Sequence, residues 1–467
     1  MRDDRSASLR TEQPFPRDSK EKRAAWRGRR PSLAAVVPKP LGTIAIRSSG
    51  LVRTDGVSRL LIKPDSTGSV NDLNSPHRSK HPIAPIHPTP RHRQSRMDSA
   101  TFPSTTSRET LAAPLARAIC SAFDLNGSVE GGAAPVRAGN GFSGAAVYRW
   151  TDQQGRVWAW RSTSAQEVDE ARIGQVARWA MGWSKAGLPV AVFRPAVACG
   201  PDRQQRSPRY LFSPPDQPDQ LWMVEPWLPG TSDYSTDPSP DRLAEVMRSL
   251  ARLHLATNGA SSLLGSERSS PAGLVRRCAN PDYSSWASAA FADQFTRIPE
   301  PLRSTATSFR EIATRVGPEI MRAAESACHL TAPSVVCIRD LWHDHLLFTG
   351  QRLTGLIDLH SADFDCVAAD LTRLLGSLHP FSPGRWAEAL TTYEEVRPIV
   401  REERMLLRPY ERTSVLLSGI YWLRRWGERS QASWAIAAPQ QVSREQARLS
   451  ELLQRMIGPS PVEGLCL

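Results

Sequence analysis

Three short apolar segments, separated by one polar loop and one turn, restrict the fold of this chain more than any other feature. Residues 335–338 and 346–348 are apolar and enclose a polar segment that contains Asp340. A turn at 349–351 follows, and a third apolar segment ends on Asp358. This order predicts a buried strand, a loop and then a hairpin, with a carboxylate at the end of two of the strands.

Two carboxylates in such positions are suited to metal-assisted group transfer. One of them can accept a proton from a hydroxyl group, and the other can hold a hard cation through oxygen. A surface loop with ordinary solvated charges shows the same local pattern. The rest of the chain has to distinguish these two interpretations.

The positive charge of the chain lies at its start. Residues 1–96 contain 20 of the 59 Lys and Arg residues but 8 of the 47 Asp and Glu residues, a surplus equal to the whole net charge of +12. The remainder of the chain is therefore neutral. Its composition gives no support for a basic face that binds nucleic acid, so we expect no nucleic-acid partner for the folded part.

The leading segment is rich in Arg, Pro and Ser and shows no sustained apolar period. It cannot bury enough surface to offset its ordering entropy, and we expect residues 1–105 to be disordered. The character of the sequence changes at Met97, which suggests a translation start there and a segment that is not part of the native protein. Nucleic-acid binding by this basic segment is the lowest-ranked interpretation of function.

Cysteine usage and hydropathy bear on the compartment. The seven cysteines are widely spaced and form no C-x-x-C pair. This pattern favours reduced thiols in a cytoplasmic protein over a disulfide framework or a zinc site. No apolar run approaches the roughly 18–20 residues that span a bilayer, and the charged start lacks the apolar core of a secretory signal. We expect no membrane association.

The first part of the folded region predicts a helix and a glycine-rich hairpin. Leu111, Leu115, Ile119 and Phe123 recur every four residues, which indicates a helix over 108–126. Glycines then precede a strand at 147–150, and a second strand at 156–161 ends on Arg161. Such a hairpin lets backbone N–H groups approach phosphate oxygens. A helix over 167–186 follows, and its Glu167 or Glu170 is a candidate partner for Arg161.

The rest of the chain is mostly helical by period. An apolar strand over 221–230 contains Glu225 and Trp227 and stops at prolines, so it must lie at a sheet edge or become a connector. Helices are expected over 240–256, 305–327, 368–376, 386–395, 402–407, 415–426 and 445–456. This order predicts an α+β fold with two lobes: a small β-sheet lobe over 106–228, a larger helical lobe over 229–459, and a tail over 460–467.

These segments, in this order, resemble the aminoglycoside phosphotransferase/choline kinase family, which has a protein-kinase-like fold. The resemblance covers roughly residues 110–457. Gly139-Asn-Gly-Phe-Ser-Gly144 is similar to the nucleotide loop of the family, and Arg161 falls at its basic phosphate-binding position. The segment over 225–230 is similar to the hinge that meets adenine. The nucleotide-binding residues that the resemblance implies are Gly139, Gly141, Ser143, Gly144, Arg161, Glu225 and Trp227.

The same resemblance assigns roles to three acids. Asp340 matches the catalytic aspartate of the motif H-G-D-x-x-x-x-N, Asp358 matches the metal-binding aspartate, and Asp370 matches the acid that braces the catalytic loop. The implied activity is ATP-dependent phosphorylation of a hydroxyl group on a small metabolite or antibiotic-like compound. The implied cofactors are ATP and Mg²⁺, with Mn²⁺ or another divalent metal as alternatives.

The chain departs from the family pattern at three positions of the catalytic loop. Ile338 stands where the family has His, Arg339 where it usually has Gly, and His345 where it has the metal-binding Asn. Imidazole suits transition metals better than Mg²⁺. Either one Mg²⁺ on Asp358 is enough, or His345 binds a phosphate or a different metal, or the site has decayed. The last reading makes the chain a pseudokinase that serves as a nucleotide-binding or interaction module.

The substrate cannot be read from the sequence, although two groups of side chains are candidates. A polycation would be bound by acids, for which Asp363, Asp365, Glu394, Glu395, Glu402 and Glu403 are available. An apolar or cationic ligand would be covered by aromatic rings, for which Trp342, Trp386, Tyr421 and Trp422 are available. Solvated surfaces and core packing are the ordinary roles of such residues. The segment Trp342-His-Asp-His345 is also a candidate for a dedicated metal site. The alternative is that its histidines have a structural role.

Overall fold

The computed structural model describes residues 110–125, 135–140, 146–166, 168–197, 208–256, 267–280, 283, 295–429 and 439–465. The chain divides into two units, Met1–Asp98 and Ser99–Leu467, and all described residues lie in the second. The expected disordered segment therefore lies outside the described residues. The same holds for Gly141, Ser143 and Gly144 of the glycine-rich hairpin and for Glu167.

A four-stranded antiparallel sheet forms the small lobe. Its strands are β1 (Val136–Asn140), β2 (Ala146–Thr151), β3 (Val157–Ser164) and β4 (Gln220–Pro226), in the order β1-β2-β3-β4. Helix α1 (Ala113–Ala122) packs on this sheet. Their shared core is aromatic, because Ile119 and Phe123 meet Trp150, Trp160 and Trp222.

Strand β4 is the edge strand that its prolines require. It pairs with β3 alone within the sheet and ends at Pro226, opposite Trp158. A proline cannot donate to a neighbouring strand, so an edge position with an abrupt end is the arrangement that satisfies the backbone. The chain leaves the sheet here and enters the helical lobe.

Helix α2 (Glu170–Lys185) begins later than the apolar period predicts. The carboxylate of Asp169 accepts a hydrogen bond from the backbone N–H of Ala171 and thereby caps the helix. Its buried face, which includes Val176 and Trp183, joins the main core of the helical lobe. This helix therefore connects the sheet to the part of the chain that carries the catalytic loop.

The larger lobe is mainly helical. Its helices are α3 (Pro240–Ala256), α4 (Ala272–Cys278), α5 (Glu300–Ala327), α6 (Ala368–Leu378), α7 (Pro383–Glu394), α8 (Arg401–Glu428) and α9 (Pro439–Ile457). Three two-stranded sheets lie among them: β5 (Arg268–Ser269) with β6 (Ala332–Pro333), β7 (Val335–Cys337) with β10 (Asp363–Asp365), and β8 (Leu346–Thr349) with β9 (Arg352–Leu356). The α+β prediction with two lobes is confirmed. No helix in the described part of the chain is long and apolar enough to cross a membrane.

Helix α8 corrects the prediction of two separate helices over 402–407 and 415–426. The helix continues through Pro409, which lies between the two predicted segments. Buried residues on both sides of the proline, such as Leu406 and Leu416, pack against α5, α6 and α9. Tertiary packing of this kind outweighs the loss of one backbone donor, since most helical stability in proteins comes from the packed face.

Candidate active site

The loop after β7 is held in place by Asp370. This residue lies in the first turn of α6 and is fully buried. Its carboxylate accepts hydrogen bonds from the backbone N–H groups of Ile338, at 2.7 Å, and Arg339, at 2.6 Å. Two charge-assisted bonds to adjacent amides determine the path of the loop that presents Asp340. This geometry supports the bracing role inferred for Asp370.

A buried histidine continues the same network. His254 of α3 donates from Nε2 to Asp370, at 3.1 Å, and accepts at Nδ1 from the hydroxyl of Tyr393, at 2.7 Å. Burial lowers the pKa of His254, so the ring is neutral at pH 7. No local sequence pattern connects His254 with Asp370. Only the fold brings α3, α6 and α7 together at this point.

Asp340 lies at the tip of the loop with its two carboxylate oxygens in different situations. Oδ1 accepts from Arg373, at 2.8 Å from Nη2 and 3.2 Å from Nε. Oδ2 receives no hydrogen bond within the described part of the chain, and the side chain is 48% exposed. One oxygen is thus held in place while the other is open to a ligand. Sequence reasoning missed Arg373, although it lies one helical turn after Asp370.

Asp358 lies opposite Asp340, directly after β9. Its backbone is left-handed, with a φ of 62°. Oδ1 accepts from Nη1 of Arg161, at 3.2 Å, and from Nδ1 of His360, at 3.0 Å. Burial acts to raise the pKa of Asp358, but the His360 hydrogen bond and the Arg161 charge hold that pKa well below its ordinary value. The carboxylate is therefore ionised at neutral pH.

Arg161 consequently bridges the two lobes. It lies on β3, as expected, and its ion-pair partner is Asp358 rather than a glutamate of α2. Glu170 instead accepts from the backbone N–H of Tyr210, at 3.1 Å, and lies 3.5 Å from Nη2 of Arg209. The basic side chain of the sheet lobe and the acid of the hairpin thus meet in one place.

His345 contacts both acidic positions. Its Nδ1 donates to the carbonyl of Asp340, at 2.9 Å, and its Nε2 accepts from the indole N–H of Trp342, at 2.7 Å. Nε2 also lies 3.5 Å from Oδ2 of Asp358. Burial lowers the pKa of His345, in agreement with a neutral ring. Both ring nitrogens have partners, so Nε2 can bind a metal only if Trp342 withdraws.

The donors fit a divalent cation through Asp358. Its carboxylate is ionised, and Mg²⁺ is commonly held by one or two carboxylates together with the phosphates of its nucleotide. In the described residues, the only His, Cys, Asp and Glu side chains that bring three ligand atoms together are His254, Cys337 and Asp370, all buried. The segment from Trp342 to His345 therefore forms no three-ligand site of its own.

The structure describes only some of the residues expected to bind the nucleotide. Gly139 lies in β1, next to the part of the hairpin outside the described residues. Glu225 of β4 is buried, and burial raises the pKa of its carboxyl group. The N–H of Trp227 donates to the carbonyl of Val157, at 2.9 Å, so this amide serves the sheet. The indole of Trp227 is 37% exposed.

A cavity of about 360 Å³ opens beside Asp340. Residues of the catalytic loop, α4, α6 and α8 line it: Gly273, Arg276, Arg277, Asn280, Arg339, Asp340, Ser361, Asp365, Ala369 and Tyr410. The arrangement combines an open carboxylate oxygen, an ionised acid beside an arginine, and a neighbouring space for a small molecule. Such a site can position a hydroxyl group and a phosphate-bearing ligand for group transfer.

Known proteins are similar to this chain in sequence or in fold. A family model described as the phosphotransferase enzyme family matches residues 136–406. The structure of an amicoumacin kinase in complex with AMP-PNP and Ca²⁺ is similar with a TM-score of 0.50 and 14% identity, over 75% of this chain and 96% of that one. The structure of a spectinomycin phosphotransferase in complex with ADP and spectinomycin gives 0.49 and 11%, over 76% and 97%. At these identities the likeness concerns the fold.

A curated relative matches over a shorter stretch. A homoserine kinase from Chelativorans sp. (strain BNC1) is 36% identical over 100 residues, which are 20% of this chain and 31% of that protein. The matched stretch thus spans about a third of the length of this relative.

Proposed function

The chain belongs to the phosphotransferase enzyme family, and from this premise we propose that it is an ATP-dependent kinase of a small molecule. It transfers the γ-phosphoryl group to a hydroxyl oxygen of the substrate. The observation that carries the proposal is the open Oδ2 of Asp340, whose Oδ1 is held by Arg373. The similar kinase structure that contains AMP-PNP supports a nucleotide as donor.

Asp340 receives the proton of the acceptor. The substrate hydroxyl donates to Oδ2 while Arg373 holds Oδ1 in a fixed orientation. As the bond forms between the acceptor oxygen and the γ-phosphorus, the bond from that phosphorus to the β,γ-bridging oxygen breaks. The proton passes to Oδ2 and then to solvent. Catalysis of this kind depends mainly on positioning and on charge neutralisation.

Arg161 and Asp358 serve the nucleotide. Arg161 is the cation of β3 and binds the α- and β-phosphates in place of the lysine that is absent from this strand. Asp358 would hold Mg²⁺, which when bound neutralises the negative charge of the β- and γ-phosphates. Gly139, Gly141, Ser143 and Gly144 would cradle the phosphates, and the segment from Glu225 to Trp227 would meet the adenine ring.

The decisive experiment replaces Asp340 by Asn and measures ADP release with MgATP over a panel of hydroxyl compounds. Loss of the base is expected to lower turnover by about 10²–10⁴-fold, with a much smaller change in nucleotide affinity. Asp344→Asn is the matched control, because it removes a 46%-exposed carboxylate from the same loop. Wild-type turnover in Asp340→Asn would contradict the role of Asp340.

A pseudokinase is the second candidate function, and His345 favours it. The nitrogen that would replace the metal-binding amide oxygen is occupied by the indole of Trp342. In this case the protein binds nucleotide without turning it over. Thermal shifts with ATP and Mg²⁺, Mn²⁺ or Zn²⁺, compared with ADP release under the same conditions, separate the two functions. A nucleotide-dependent shift without ADP release for any acceptor or metal would favour the pseudokinase.

A further inference from the structure

The cavity beside Asp340 is lined by an unusual number of cations. Three of its lining residues are the arginines Arg276, Arg277 and Arg339, against the two carboxylates of Asp340 and Asp365. Asp340 already has Arg373 as its partner. The balance of charge around the space is therefore positive. Its volume of about 360 Å³ lies at the lower end of ligand pockets, which suits a compact ligand.

Arg277 contributes a positive charge that no carboxylate neutralises directly. Its Nη1 donates to the carbonyl of Tyr410, at 2.6 Å, and to the hydroxyl of Thr413, at 2.9 Å. Within the described part of the chain it forms no ion pair. Burial lowers the pKa of Arg277. Such a half-buried cation makes the potential at the cavity wall attractive to an anion.

Arg276 offers hydrogen-bond donors at the cavity. Its side chain is 48% exposed, and Nη2 lies 3.6 Å from Oδ2 of Asp365, beyond hydrogen-bond distance. Asp365 already accepts from Tyr410 through Oδ1, while its Oδ2 is buried without a hydrogen bond. The guanidinium of Arg276 is therefore attracted to this acid but not engaged by it. It remains available for bidentate binding of an oxyanion.

Arg339 has a backbone conformation that residues other than glycine rarely adopt. Its φ of 67° lies in the left-handed region, where the resembled family usually has glycine. A side chain in this backbone conformation is strained. Its Nη1 donates to Asp363, at 2.9 Å, and the residue lines the cavity next to Asp340. The residue directly before Asp340 therefore places a cation at the cavity wall.

Each acid considered for a polycation has an arginine nitrogen within 4 Å of its carboxylate. Asp363 pairs with Arg339, and Glu403 forms a fully buried pair with Arg397. The other pairs are Asp365 with Arg276, Glu394 with Arg404, Glu395 with Arg248 and Glu402 with Arg268. Trp386 is fully buried and belongs to the core. The charge of each of these acids is therefore offset by a neighbouring cation.

We propose that the hydroxyl substrate of this site carries an oxyanion, either a carboxylate or a phosphate, bound by Arg276 and Arg339 while its hydroxyl group faces Asp340. The inference rests on the proposed kinase function for the identity of the site. It reverses the charge expected of an aminoglycoside acceptor. Arg277 supports the oxyanion through its charge, while its Nη1 is held by Tyr410 and Thr413.

The experiment measures binding and turnover separately. Calorimetry without nucleotide compares four ligands with one carbon skeleton: glycerate, glycerol phosphate, glycerol and aminopropanediol. We expect glycerate and glycerol phosphate to bind. Glycerol and aminopropanediol should bind at least about 10-fold more weakly, because one charge-assisted interaction contributes about that factor to the affinity. The affinities of glycerate and glycerol phosphate, compared with each other, show whether the site prefers a carboxylate or a phosphate. Equal binding of all four ligands, or no binding of either anion, overturns the proposal.

Variants connect the binding to the arginines. Arg276→Gln is expected to weaken anion binding by about 10-fold or more. Arg315→Gln, which removes the same charge from an exposed position on α5, is the matched control and should bind as the wild type. Arg339→Gly removes the cation while it relieves the positive φ, so it should weaken binding without loss of thermal stability. Equal affinity of Arg276→Gln and Arg315→Gln would overturn the proposal.

Turnover measurements test the kinase function and the preference for an anionic substrate separately. With MgATP, hydroxy acids and phosphorylated alcohols should release ADP with a kcat/KM at least about 10-fold above that of their neutral and amino analogues. Arg276-dependent anion binding without ADP release from any acceptor would leave the oxyanion site standing and refute the kinase function. Faster ADP release with amino sugars than with hydroxy acids would support a kinase and refute the anionic substrate.

Discussion

At the scale of single residues, Arg373 positions the carboxylate of Asp340 but does not itself accept the substrate proton. The guanidinium binds Oδ1 and leaves Oδ2 open. Arg373→Gln should therefore lower kcat by about 10–100-fold, as misplacement of a reacting group by about 1 Å does. Because the residue holds Asp340 rather than the nucleotide, the KM for ATP should change much less. Steady-state kinetics with an active acceptor check this split.

The control for Arg373 is the conservative variant. Arg373→Lys keeps a cation near Asp340 but cannot bind through two nitrogens, so it should recover part of the lost kcat. A purely structural role would instead appear as a lower melting temperature in both variants with kcat per folded molecule unchanged. That outcome would remove Arg373 from the catalytic arrangement.

His345 gives the second prediction at this scale. Its Nε2 lies 3.5 Å from Asp358 but accepts from the indole of Trp342. Trp342→Phe removes that donor and frees the nitrogen, so Zn²⁺ or Mn²⁺ should raise the melting temperature of the variant more than that of the wild type. The double variant Trp342→Phe with His345→Gln should lose the added shift. Equal metal shifts in all three proteins would show that His345 is no latent ligand.

The sequence predicts these residues unequally, for a physical reason. Asp340, Asp358 and Asp370 can be found because each follows an apolar segment or begins a helix, and such local patterns are visible in one dimension. Arg373 and His254 act through partners more than 30 and more than 100 positions away. Their side chains look like ordinary helix positions until the fold places them beside an acid.

At the scale of elements, the contact between α5 and α8 depends on a glycine. A Cβ at Gly419 would lie 1.8 Å from the ring of Phe309, which is fully buried. A rigid ring in a packed core cannot withdraw cheaply, so Gly419→Ala should lower the free energy of unfolding by about 1–3 kcal/mol. Chemical denaturation monitored by circular dichroism measures this change.

An open glycine in another helix provides the comparison. Gly182 of α2 is exposed, and a Cβ there would have no atom within 4 Å. Gly182→Ala should leave stability unchanged or raise it by up to about 1 kcal/mol through helix propensity. If both variants behaved alike, close packing of α5 on α8 would not be the cause.

The elements were predicted best where local signals and packing agree. Helix α3 has the bounds that its apolar period indicates, and β4 has the edge position that its prolines require. Helix α8 was predicted as two pieces, whereas it continues through Pro409 because its neighbours α5, α6 and α9 bury residues on both sides of the proline. Such long-range packing is not encoded near the proline.

At the scale of the whole molecule, buried histidines make stability depend on pH. Burial lowers the pKa of His254, and burial together with the charge of Arg385 lowers the pKa of His379. Each ring binds a proton more readily in the unfolded chain than in the folded protein. Their contribution to stability is therefore complete above the unfolded pKa of about 6.5 and declines as the pH falls below that value.

The free energy of unfolding should accordingly fall between pH 7.5 and pH 5.5, by up to about 1.4 kcal/mol per pH unit for each proton that only the unfolded chain binds. Urea denaturation at several pH values measures the slope. His379→Gln should make the slope shallower, because the half-buried ring next to the Tyr234 hydroxyl no longer titrates. His329→Gln, which removes an exposed imidazole, is the matched control. A slope in His379→Gln as steep as in the control would show that His379 is not among the groups that make folding acid-sensitive.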